Sequence, residues 1–325
     1  MKALVLDRPN APFRLADLPR PTVGAGEVLV RIHASGVNPL DTKIRAGAAA
    51  HARHPLPAIL GLDLAGVVEE LGSGVTAFQR GDEVYGMTGG VGGVPGSLAE
   101  LAAVDARLLA RKPANLSMRE AAALPLVAIT AWEGLVDRAH VARGQRVLVQ
   151  GGAGGVGHVA VQLARVFDAA VHATVSARSF DEMARLGATP IDRTLPVDQL
   201  VQLHANGDGF DIVYDTVGGN TLDASFGAVG RFGHVVSILG WGTHSLAPLS
   251  FKAGTYSGVF TLLPLLSGVG RSHHGEILTR ISALVQDGRL SPRLDPRTFG
   301  LADAEAAHEA VSSGGAAGKI VVTTV

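Results

Sequence analysis

The chain of 325 residues contains no cysteine. This absence excludes disulfide bonds, thiolate nucleophiles, iron–sulfur clusters and every zinc site that needs sulfur ligands. Cysteine usage therefore gives no information on the cellular compartment. Met1 to Asp7 reads as a strand rather than as a charged segment followed by a long apolar one, so we expect no signal peptide. A cytoplasmic location is the default expectation.

The sequence also lacks an excess of charge of either sign. Lys and Arg number 28 against 29 Asp and Glu, which gives a formal net charge of -1. We therefore expect neither nucleic acid nor an anionic membrane surface as a partner, and a small ligand instead. With 47% hydrophobic and 18% charged residues, the composition is that of a folded globular chain. At about 150 residues per domain, the length predicts two domains.

Long hydrophobic runs without interruption are missing as well. Two uncharged runs, 232–251 and 253–270, reach the length of a membrane span. Each is interrupted by glycines, by a proline (Pro248 or Pro264) and by polar residues, whereas a spanning helix is continuously apolar. We predict buried strands and apolar pocket loops for both runs.

The organisation of the chain changes near residue 145. Before it, short runs of Val, Leu and Ile between glycines and prolines predict an all-β barrel or sandwich. After it, apolar strands alternate with amphipathic helices, which is typical of a parallel sheet with crossover helices. Beyond Leu262 we predict helices at 274–286 and 301–311 and a last strand at 319–323.

A glycine cluster between a predicted strand and a predicted helix is the strongest motif. Gly152, Gly154 and Gly157 satisfy the pattern G-x-G-x-x-G. Glycine at this place permits a tight turn and a close backbone approach, while amides at the helix start hold a pyrophosphate. His158 and Val159 stand where a P-loop needs Lys and Ser or Thr. The cluster predicts a dinucleotide site that includes Gly152, Gly154, Gly155 and Gly157.

The end of the second strand of this region distinguishes NAD from NADP. An NAD site expects Asp or Glu there, to bind the ribose 2′-hydroxyl. Here the strand ends Thr174-Val175-Ser176-Ala177-Arg178, without an acid. A small hydroxyl residue followed by arginine suits a 2′-phosphate, which a guanidinium binds bidentately. We predict NADP(H), bound by Thr174, Ser176, Arg178 and Arg193, although either arginine could instead be a solvated surface charge.

Ordered motifs along nearly the whole chain carry a resemblance to a known family. They lie at 35–45, 60–68, 80–84, 128–135, 150–158, 215–219 and 318–321. The chain resembles the medium-chain dehydrogenase/reductase superfamily, specifically its zinc-free NADPH:quinone oxidoreductase branch, the zeta-crystallin-like proteins. The resemblance implies an α/β fold with a GroES-like β-barrel catalytic domain (1–122 and 263–325) and a doubly wound Rossmann NADP-binding domain (123–262).

The resemblance also locates the positions of the zinc ligands in the metal-dependent relatives. Asn38 stands where those relatives have a cysteine ligand, and Leu62 where they have a histidine. Residues 87–97 lack the four-cysteine structural lobe. His51 and His54 are spaced as i and i+3, but prolines follow them and no carboxylate accompanies them, so we predict a surface or loop role. We expect no metal.

Roles of single residues follow from the same resemblance. Asn38 is expected to face the nicotinamide and the acceptor, Thr130 to meet the cofactor near its carboxamide or ribose, and Lys319 to reach the cofactor from the returning tail. The remaining residues implied to line the cofactor are Val156, Val217, Leu239 and Gly240.

Three polar side chains are candidates for acceptor or proton contacts: Asp41, Lys43 and Tyr85. Each has a plainer interpretation. Asp41 could cap the short segment after it, Lys43 could be an exposed lysine on a mobile loop, and Tyr85 could be a satisfied tyrosine of the barrel rim. Lys43 stands where many quinone reductases of this branch have a tyrosine. An apolar wall of the acceptor pocket, or ordinary core packing, is expected for Trp241, Phe260 and Leu263.

These features favour one reaction class. Replacement of both zinc-ligand positions removes the Lewis acid that alcohol oxidation needs. Quinones and conjugated enones accept hydride readily, so the protein mainly has to position the acceptor and provide hydrogen bonds. We predict an NADPH-dependent quinone oxidoreductase that acts on a small apolar quinone or enone. Two alternatives are an enoyl or enone reductase and an NADPH-binding structural or regulatory protein with little turnover. The resemblance further implies a homodimer, through the segment 256–262.

Overall fold

Two units divide the chain in the computed structural model, which describes residues 1–324. One unit joins Met1–Leu126 to the residues from Leu262 onward, and we call it the split unit. The other is Val127–Thr261, and we call it the central unit. The sequence places its predicted domain boundaries after residues 122 and 262.

Short apolar runs between turn residues form the strands of the first part of the split unit. Residues at alternate positions of the third strand, such as Val28, Val30 and Ile32, have no exposed surface and pack with Leu64 and Val84 in one core cluster. The elements are β1 (Lys2–Leu6), β2 (Arg14–Asp17), β3 (Glu27–Val37), α1 (Pro39–Arg45), β4 (Ala58–Ile59), β5 (Asp63–Leu71), β6 (Glu83–Met87), β7 (Leu101–Asp105), β8 (Leu109–Arg111) and α2 (Met118–Ala122).

The central unit alternates strands and helices, as the sequence predicts. Its elements are α3 (Pro125–Trp132, beginning at the boundary), a π-helical turn (Glu133–Arg138), β9 (Arg146–Gln150), α4 (Gly155–Val166), β10 (Ala170–Val175), α5 (Phe180–Arg185), β11 (Thr189–Asp192), α6 (Val197–His204), β12 (Phe210–Asp215), α7 (Asn220–Ala228), β13 (Val229–Ser237), α8 (Ala247–Ser250) and β14 (Thr255–Gly258). All six strands run parallel, in the order β11-β10-β9-β12-β13-β14.

This strand order fixes the binding edge of the central sheet. The chain first adds β10 and β11 on one side of β9, and then returns to add β12 and its successors on the other. The order therefore reverses between β9 and β12, and open parallel sheets bind ligands at the carboxyl ends of the strands on either side of such a reversal.

The last part of the chain returns to the split unit. Its elements are α9 (Leu263–Ser267), α10 (Arg271–Gln286), β15 (Phe299–Gly300), α11 (Ala304–Ser312) and β16 (Ile320–Thr323). β16 pairs antiparallel with β3, so that Ile320 lies opposite Val37. The larger sheet has the order β15-β16-β3-β5-β6-β8, with β7 also on β3, and a second sheet has the order β2-β1-β4. The predicted α/β fold class, with a GroES-like barrel and a Rossmann sheet, is confirmed.

Several local expectations differ from the structure. The sequence analysis does not predict helices α3, α6 and α7 individually. Helix α3 is apolar on nearly all sides, so it has no amphipathic pattern. The first uncharged run contains the last six residues of β13 and all of α8, but Phe232 and Phe251 at its ends are 83% and 90% exposed rather than buried. Over the described residues, no helix combines the length and the apolar character needed to cross a membrane.

Candidate functional site

The glycine loop between β9 and α4 lies tightly on the central sheet. A Cβ on Gly157 would come within 2.2 Å of the Gly151 carbonyl oxygen, and one on Gly152 within 2.7 Å of the Ala173 Cβ. Gly154 and Gly155, at the start of α4, are exposed. The first amides of an α-helix have no acceptor within the helix. The loop therefore offers backbone donors and an approach without side chains, which a pyrophosphate requires.

Thr174 lies beneath this loop rather than at its surface. Its hydroxyl donates to Gln150 Oε1 at 2.7 Å and accepts from the Gly151 amide at 3.1 Å. The Gly152 amide also donates to the Thr174 carbonyl. Only 5% of Thr174 is exposed. The structure thus places this predicted cofactor contact where it braces the loop.

The loops that follow β9, β12 and β13 converge at the same edge of the sheet. A Cβ on Gly151 would lie 2.9 Å from Val217 Cγ2, and one on Gly218 would lie 2.7 Å from the Leu239 carbonyl oxygen. Val217 is 49% exposed. Of the predicted cofactor residues, the structure brings together Gly152, Gly154, Gly155, Val156, Gly157, Val217, Leu239 and Gly240.

Asp215, at the end of β12, organises this edge and was not recognised in the sequence as a functional residue. It has no exposed surface, and its carboxylate accepts from the Val217 and Gly218 amides at 3.1 Å and from the Ser237 hydroxyl at 2.7 Å. The Ser237 hydroxyl in turn accepts from the Leu239 amide. An acid directly after a buried apolar strand, followed by Thr-Val-Gly-Gly, is the signal that could have identified it.

The carboxyl end of β10 carries the features predicted for a 2′-phosphate. Ser176 and Arg178 follow the strand directly, and Arg178 is exposed. The Arg193 amide donates to the Val175 carbonyl, so a second exposed arginine stands beside the first strand end. The nearby Asp192 carboxylate accepts from the amide and hydroxyl of Thr194, at 2.8 and 2.7 Å. These residues fit a phosphorylated dinucleotide, because two exposed guanidinium groups lie at the strand end.

Thr130 and the aromatic candidates of the central unit have different surroundings. The Thr130 hydroxyl is buried against the Thr261 hydroxyl at 3.0 Å, and its carbonyl accepts from Tyr214. Trp241 and Phe260 are partly exposed and pack edge to face, with ring centroids 6.4 Å apart. Such a pair can form an apolar wall. Leu263, the third candidate, begins α9 in the split unit and is 56% exposed.

A buried polar cluster occupies the split unit where β3 meets α1, and we call Asn38, Asp41, Asp63 and Lys319 the polar cluster. Asn38 Nδ2 donates to Asp63 Oδ2 at 2.9 Å, and its Oδ1 accepts from the Lys319 ammonium. Lys319 also donates to the Val37 carbonyl at 3.2 Å. The amide of Asn38 is thereby fixed in one orientation between an anion and a cation. Asn38, Asp41 and Asp63 are each no more than 1% exposed.

The two carboxyl groups of the polar cluster hold protons more tightly than usual. Burial raises the pKa of Asp41 to about 7 and that of Asp63 to about 6, in each case against the influence of Lys319. Asp41 Oδ2 accepts from the backbone amide of Asn38 at 2.8 Å, so Asp41 forms a capping box with Asn38, the N-cap residue of α1. Asp41 Oδ1 is buried without a hydrogen-bond partner. Asp63, absent from the sequence-based site, lies in a Gly-Leu-Asp motif at the start of β5.

The other two catalytic candidates lie apart from this cluster. Lys43 is exposed on α1. Tyr85 has no exposed surface; its hydroxyl donates to the Leu278 carbonyl at 2.7 Å and contacts the Ser282 hydroxyl at 3.0 Å. Burial raises the pKa of the Tyr85 phenol. The structure therefore gives Tyr85 a role in joining β6 to α10, which is the plainer of its two interpretations.

Asn38 and Leu62 both lie in the interior of the split unit, with at most 1% exposed surface. Across residues 1–324, no three His, Cys, Asp or Glu side chains are grouped so that they could hold a metal ion. His54 contacts the Ile59 carbonyl at 3.2 Å through Nε2.

Comparison with known proteins gives the chain its family. Residues 24–114 match the alcohol dehydrogenase GroES-like domain, and residues 186–322 match the zinc-binding dehydrogenase family. The 2-methylene-furan-3-one reductase of Solanum lycopersicum is 36% identical over 310 residues, which cover 93% of this chain and 73% of that protein. The chloroplastic NADPH-dependent alkenal/one oxidoreductase of Arabidopsis thaliana is 33% identical, with the same coverage.

A solved structure is similar over its whole length. An alcohol dehydrogenase superfamily protein from Novosphingobium aromaticivorans shares 58% identity, with full coverage of both chains and a TM-score of 0.99. The chain belongs to the medium-chain dehydrogenase/reductase superfamily, in its zinc-free reductase branch. It is accordingly an oxidoreductase of a superfamily that binds a nicotinamide cofactor.

Proposed function

We propose that the protein transfers hydride from NADPH to a conjugated carbonyl compound, a quinone or a similar enone. The proposed preference for NADPH rests on one observation, the set of residues at the carboxyl end of β10. There Arg178 and Arg193 stand exposed, and no acid follows the strand to receive a ribose 2′-hydroxyl. A 2′-phosphate supplies the charge that two guanidinium groups bind best.

The nucleotide is proposed to bind along the carboxyl edge of the central sheet. The amides at the start of α4 would hold the pyrophosphate, and the Val217 and Leu239 loops would flank the rest of the dinucleotide. When bound, NADPH supplies the hydride. The chain itself contributes a rigid edge, because Asp215 and Thr174 fix the loops by buried hydrogen bonds. A rigid edge orients a reactant without further loss of entropy.

The polar cluster of the split unit is proposed to supply polarity and a proton. Addition of hydride to a conjugated carbonyl produces an enolate or phenolate, which takes up one proton to give the neutral product. Burial raises the pKa of Asp41 to about 7, and the Lys319 ammonium donates to the Asn38 side chain. These two groups make the cluster able to hold a proton and to stabilise negative charge. We assign Lys43 no chemical step.

The acceptor class is supported by the sequence and by the relatives. Asn38 and Leu62 replace the zinc ligands of the alcohol dehydrogenases, which argues against simple alcohols as substrates. The tomato and Arabidopsis relatives are named for a methylene-furanone and for alkenals and enones. These compounds share with quinones a carbonyl conjugated to a carbon–carbon double bond.

One experiment tests the proposal directly. Consumption of NADPH and of NADH is measured with an enone, a 2-alkenal, 9,10-phenanthrenequinone and an enoyl thioester, and oxidation of a secondary alcohol is measured with NADP⁺. We expect NADPH to be consumed with the enone or the quinone and the alcohol to remain unoxidised. Preference for NADH, or turnover of the alcohol alone, would overturn the proposal. Stoichiometric NADPH binding without oxidation by any acceptor would favour a binding protein with little turnover.

A further inference from the structure

The loop after β13 carries a hydrogen-bonded histidine that the proposed mechanism does not use. His244 lies on the irregular segment between β13 and α8, three residues after Trp241. Its side chain is 12% exposed. The segment follows the end of β13 at Ser237 and passes through Leu239, which lies against Gly218 at the carboxyl edge of the sheet.

Both ring nitrogens of His244 face hydrogen-bond acceptors. Nδ1 lies 2.8 Å from Asp223 Oδ1 on α7, and Nε2 lies 3.0 Å from the Trp241 carbonyl oxygen. A carboxylate and a carbonyl can only accept, so each ring nitrogen must carry a proton to complete both bonds. A neutral imidazole has one N–H and can complete only one of them. The arrangement is thus that of an imidazolium ion.

The charges around His244 agree with this geometry. The Asp223 carboxylate and the Trp241 carbonyl hold the pKa of His244 above its ordinary value, and the more distant Asp215 acts in the same direction. The other packed neighbour is the Phe226 ring on α7, with centroids 6.5 Å apart. No basic group contributes to the shift.

We propose that His244 is a positioning residue for Trp241, holding the Trp241 segment against α7 while its ring is protonated and releasing it when the ring is neutral. Asp223 anchors the ring to the helix, and the ring holds the Trp241 backbone. Trp241 packs edge to face on Phe260, and the two rings form one wall of the proposed acceptor pocket. The position of this wall therefore depends on whether His244 is protonated. The consequence for the acceptor rests on the proposed function; the link between His244 and Trp241 does not.

The direction of the pH effect follows from the raised pKa. Both hydrogen bonds of the His244 ring are present below the pKa that His244 has in the folded protein, and one of them is lost as the pH rises through that pKa. We therefore expect the KM for the acceptor to increase several-fold as the pH rises through the raised pKa of His244, with kcat changing less because the hydride-transfer groups are untouched. A role in folding alone would not separate KM from kcat in this way.

The first test uses the protein without cofactor or acceptor. The chain has two tryptophans, so W132F leaves Trp241 as the only reporter. Its emission should titrate with a single midpoint above about 6.5, the ordinary value for histidine. Asp223→Asn should lower the midpoint, since it removes the charge that favours the imidazolium. If W132F disturbs folding, the histidine ring resonance that disappears in H244Q reports the same titration by NMR in the wild-type background.

Two matched variants separate the two bonds. H244Q places an amide donor near the Nε2 position and can keep the bond to the Trp241 carbonyl without a titrating group. H244N places its donor near Nδ1 and can keep only the bond to Asp223. We expect H244Q to abolish the pH dependence of Trp241 emission and to keep, at every pH, the spectrum that the Trp241 reporter protein shows below the pKa of His244. We expect H244N to show, at every pH, the spectrum that the same protein shows above that pKa.

An emission titration that persists in H244Q would overturn the proposal, as would a midpoint that Asp223→Asn leaves unchanged. Absence of turnover with every acceptor would contradict the proposed function alone, because the emission and NMR readouts need no substrate. A titrating Trp241 together with a KM for the acceptor that is independent of pH would show that His244 holds the segment without affecting the acceptor.

Discussion

The carboxyl edge of the central sheet and the polar cluster of the split unit handle charge by opposite means. The sheet edge has exposed amides and arginines, and it presents almost no side chain where the glycines lie. The polar cluster holds two carboxyl groups and an ammonium group in the interior, where water is excluded and each charge depends on its neighbours. Removal of one group should therefore weaken binding at the sheet edge, whereas in the polar cluster it should lower the stability of the protein.

The largest effect is expected in the polar cluster. Lys319→Met removes the ammonium group that donates to Asn38 Oδ1 and to the Val37 carbonyl, and it leaves both acceptors without this donor. An unsatisfied buried acceptor costs about 1 to 3 kcal/mol, so the two together should cost about 3 kcal/mol. We expect the urea midpoint at neutral pH to fall accordingly. The matched control is Lys43→Met, an exposed lysine on α1, which should change stability by less than about 0.5 kcal/mol. Equal effects of the two variants would refute a stabilising role for the Lys319 hydrogen bonds.

Two glycines of the same loop should separate stability from binding. Gly157→Ala forces a Cβ to within 2.2 Å of the Gly151 carbonyl oxygen, which should destabilise the protein by about 2 kcal/mol. A Cβ on Gly154 would lie 3.3 Å from its nearest atom, the Gly151 carbonyl oxygen, so Gly154→Ala should leave the melting temperature almost unchanged. Its methyl group would stand where the backbone approaches the pyrophosphate, and we expect NADPH affinity to fall about tenfold. Calorimetry and fluorescence titration measure the two quantities. Loss of stability in both variants would contradict the distinction.

The third prediction concerns the choice of nucleotide. Arg178→Ala should weaken NADPH binding by about 10- to 100-fold, the range of a charge-assisted hydrogen bond, and leave NADH binding nearly unaffected. Arg185→Ala, at the exposed end of α5, serves as the control and should affect neither cofactor. Dissociation constants for both nucleotides measure the outcome. An equal loss for NADPH and NADH in the Arg178 variant would show that the arginine is structural.

The smallest effect at neutral pH is expected from Asp41→Asn, which changes a pH dependence. Asp41 is an acid whose pKa rises from 3.8 to about 7 on folding, so its contribution to stability is greatest below pH 3.8 and is lost as the pH rises to about 7. Asparagine keeps an oxygen that can accept from the backbone amide of Asn38, but its side chain does not ionise. The melting temperature of the variant relative to wild type should therefore increase between pH 4 and pH 7. A difference independent of pH would mean that Asp41 is ionised throughout.

The sequence predicted the central sheet more fully than the split unit. Alternation of apolar strands with amphipathic helices is a local pattern, and it predicted the succession of strands and helices that β9, α4, β10 and β12 follow. The barrel strands are short, so their pairing could be inferred only through a family resemblance. Helix α3 was missed because its apolar side chains face the interior on nearly all sides.

The residues of the candidate sites also divide into those that a local sequence pattern identifies and those that it does not. Gly152, Gly154 and Gly157 are recognisable because their spacing is fixed by one turn, and Arg178 because it follows one strand. Asp215 and Asp63 were missed, because an isolated acid in a sequence does not show which donors will form hydrogen bonds to its carboxylate. The contact between Asn38 and Lys319 joins residues 281 positions apart, and no local pattern encodes it.

By itself the sequence determined the alternation of strands and helices, the glycine turn and the absence of an acid after β10, because each depends on neighbouring residues and on backbone conformation. The tertiary structure alone decided that Thr174 lies beneath the glycine loop and that Tyr85 is engaged with α10. It also decided that Asp41, Asp63 and Lys319 share one interior. The physical reason is that burial sets the strength and protonation of polar groups, and burial is a property of the packed chain.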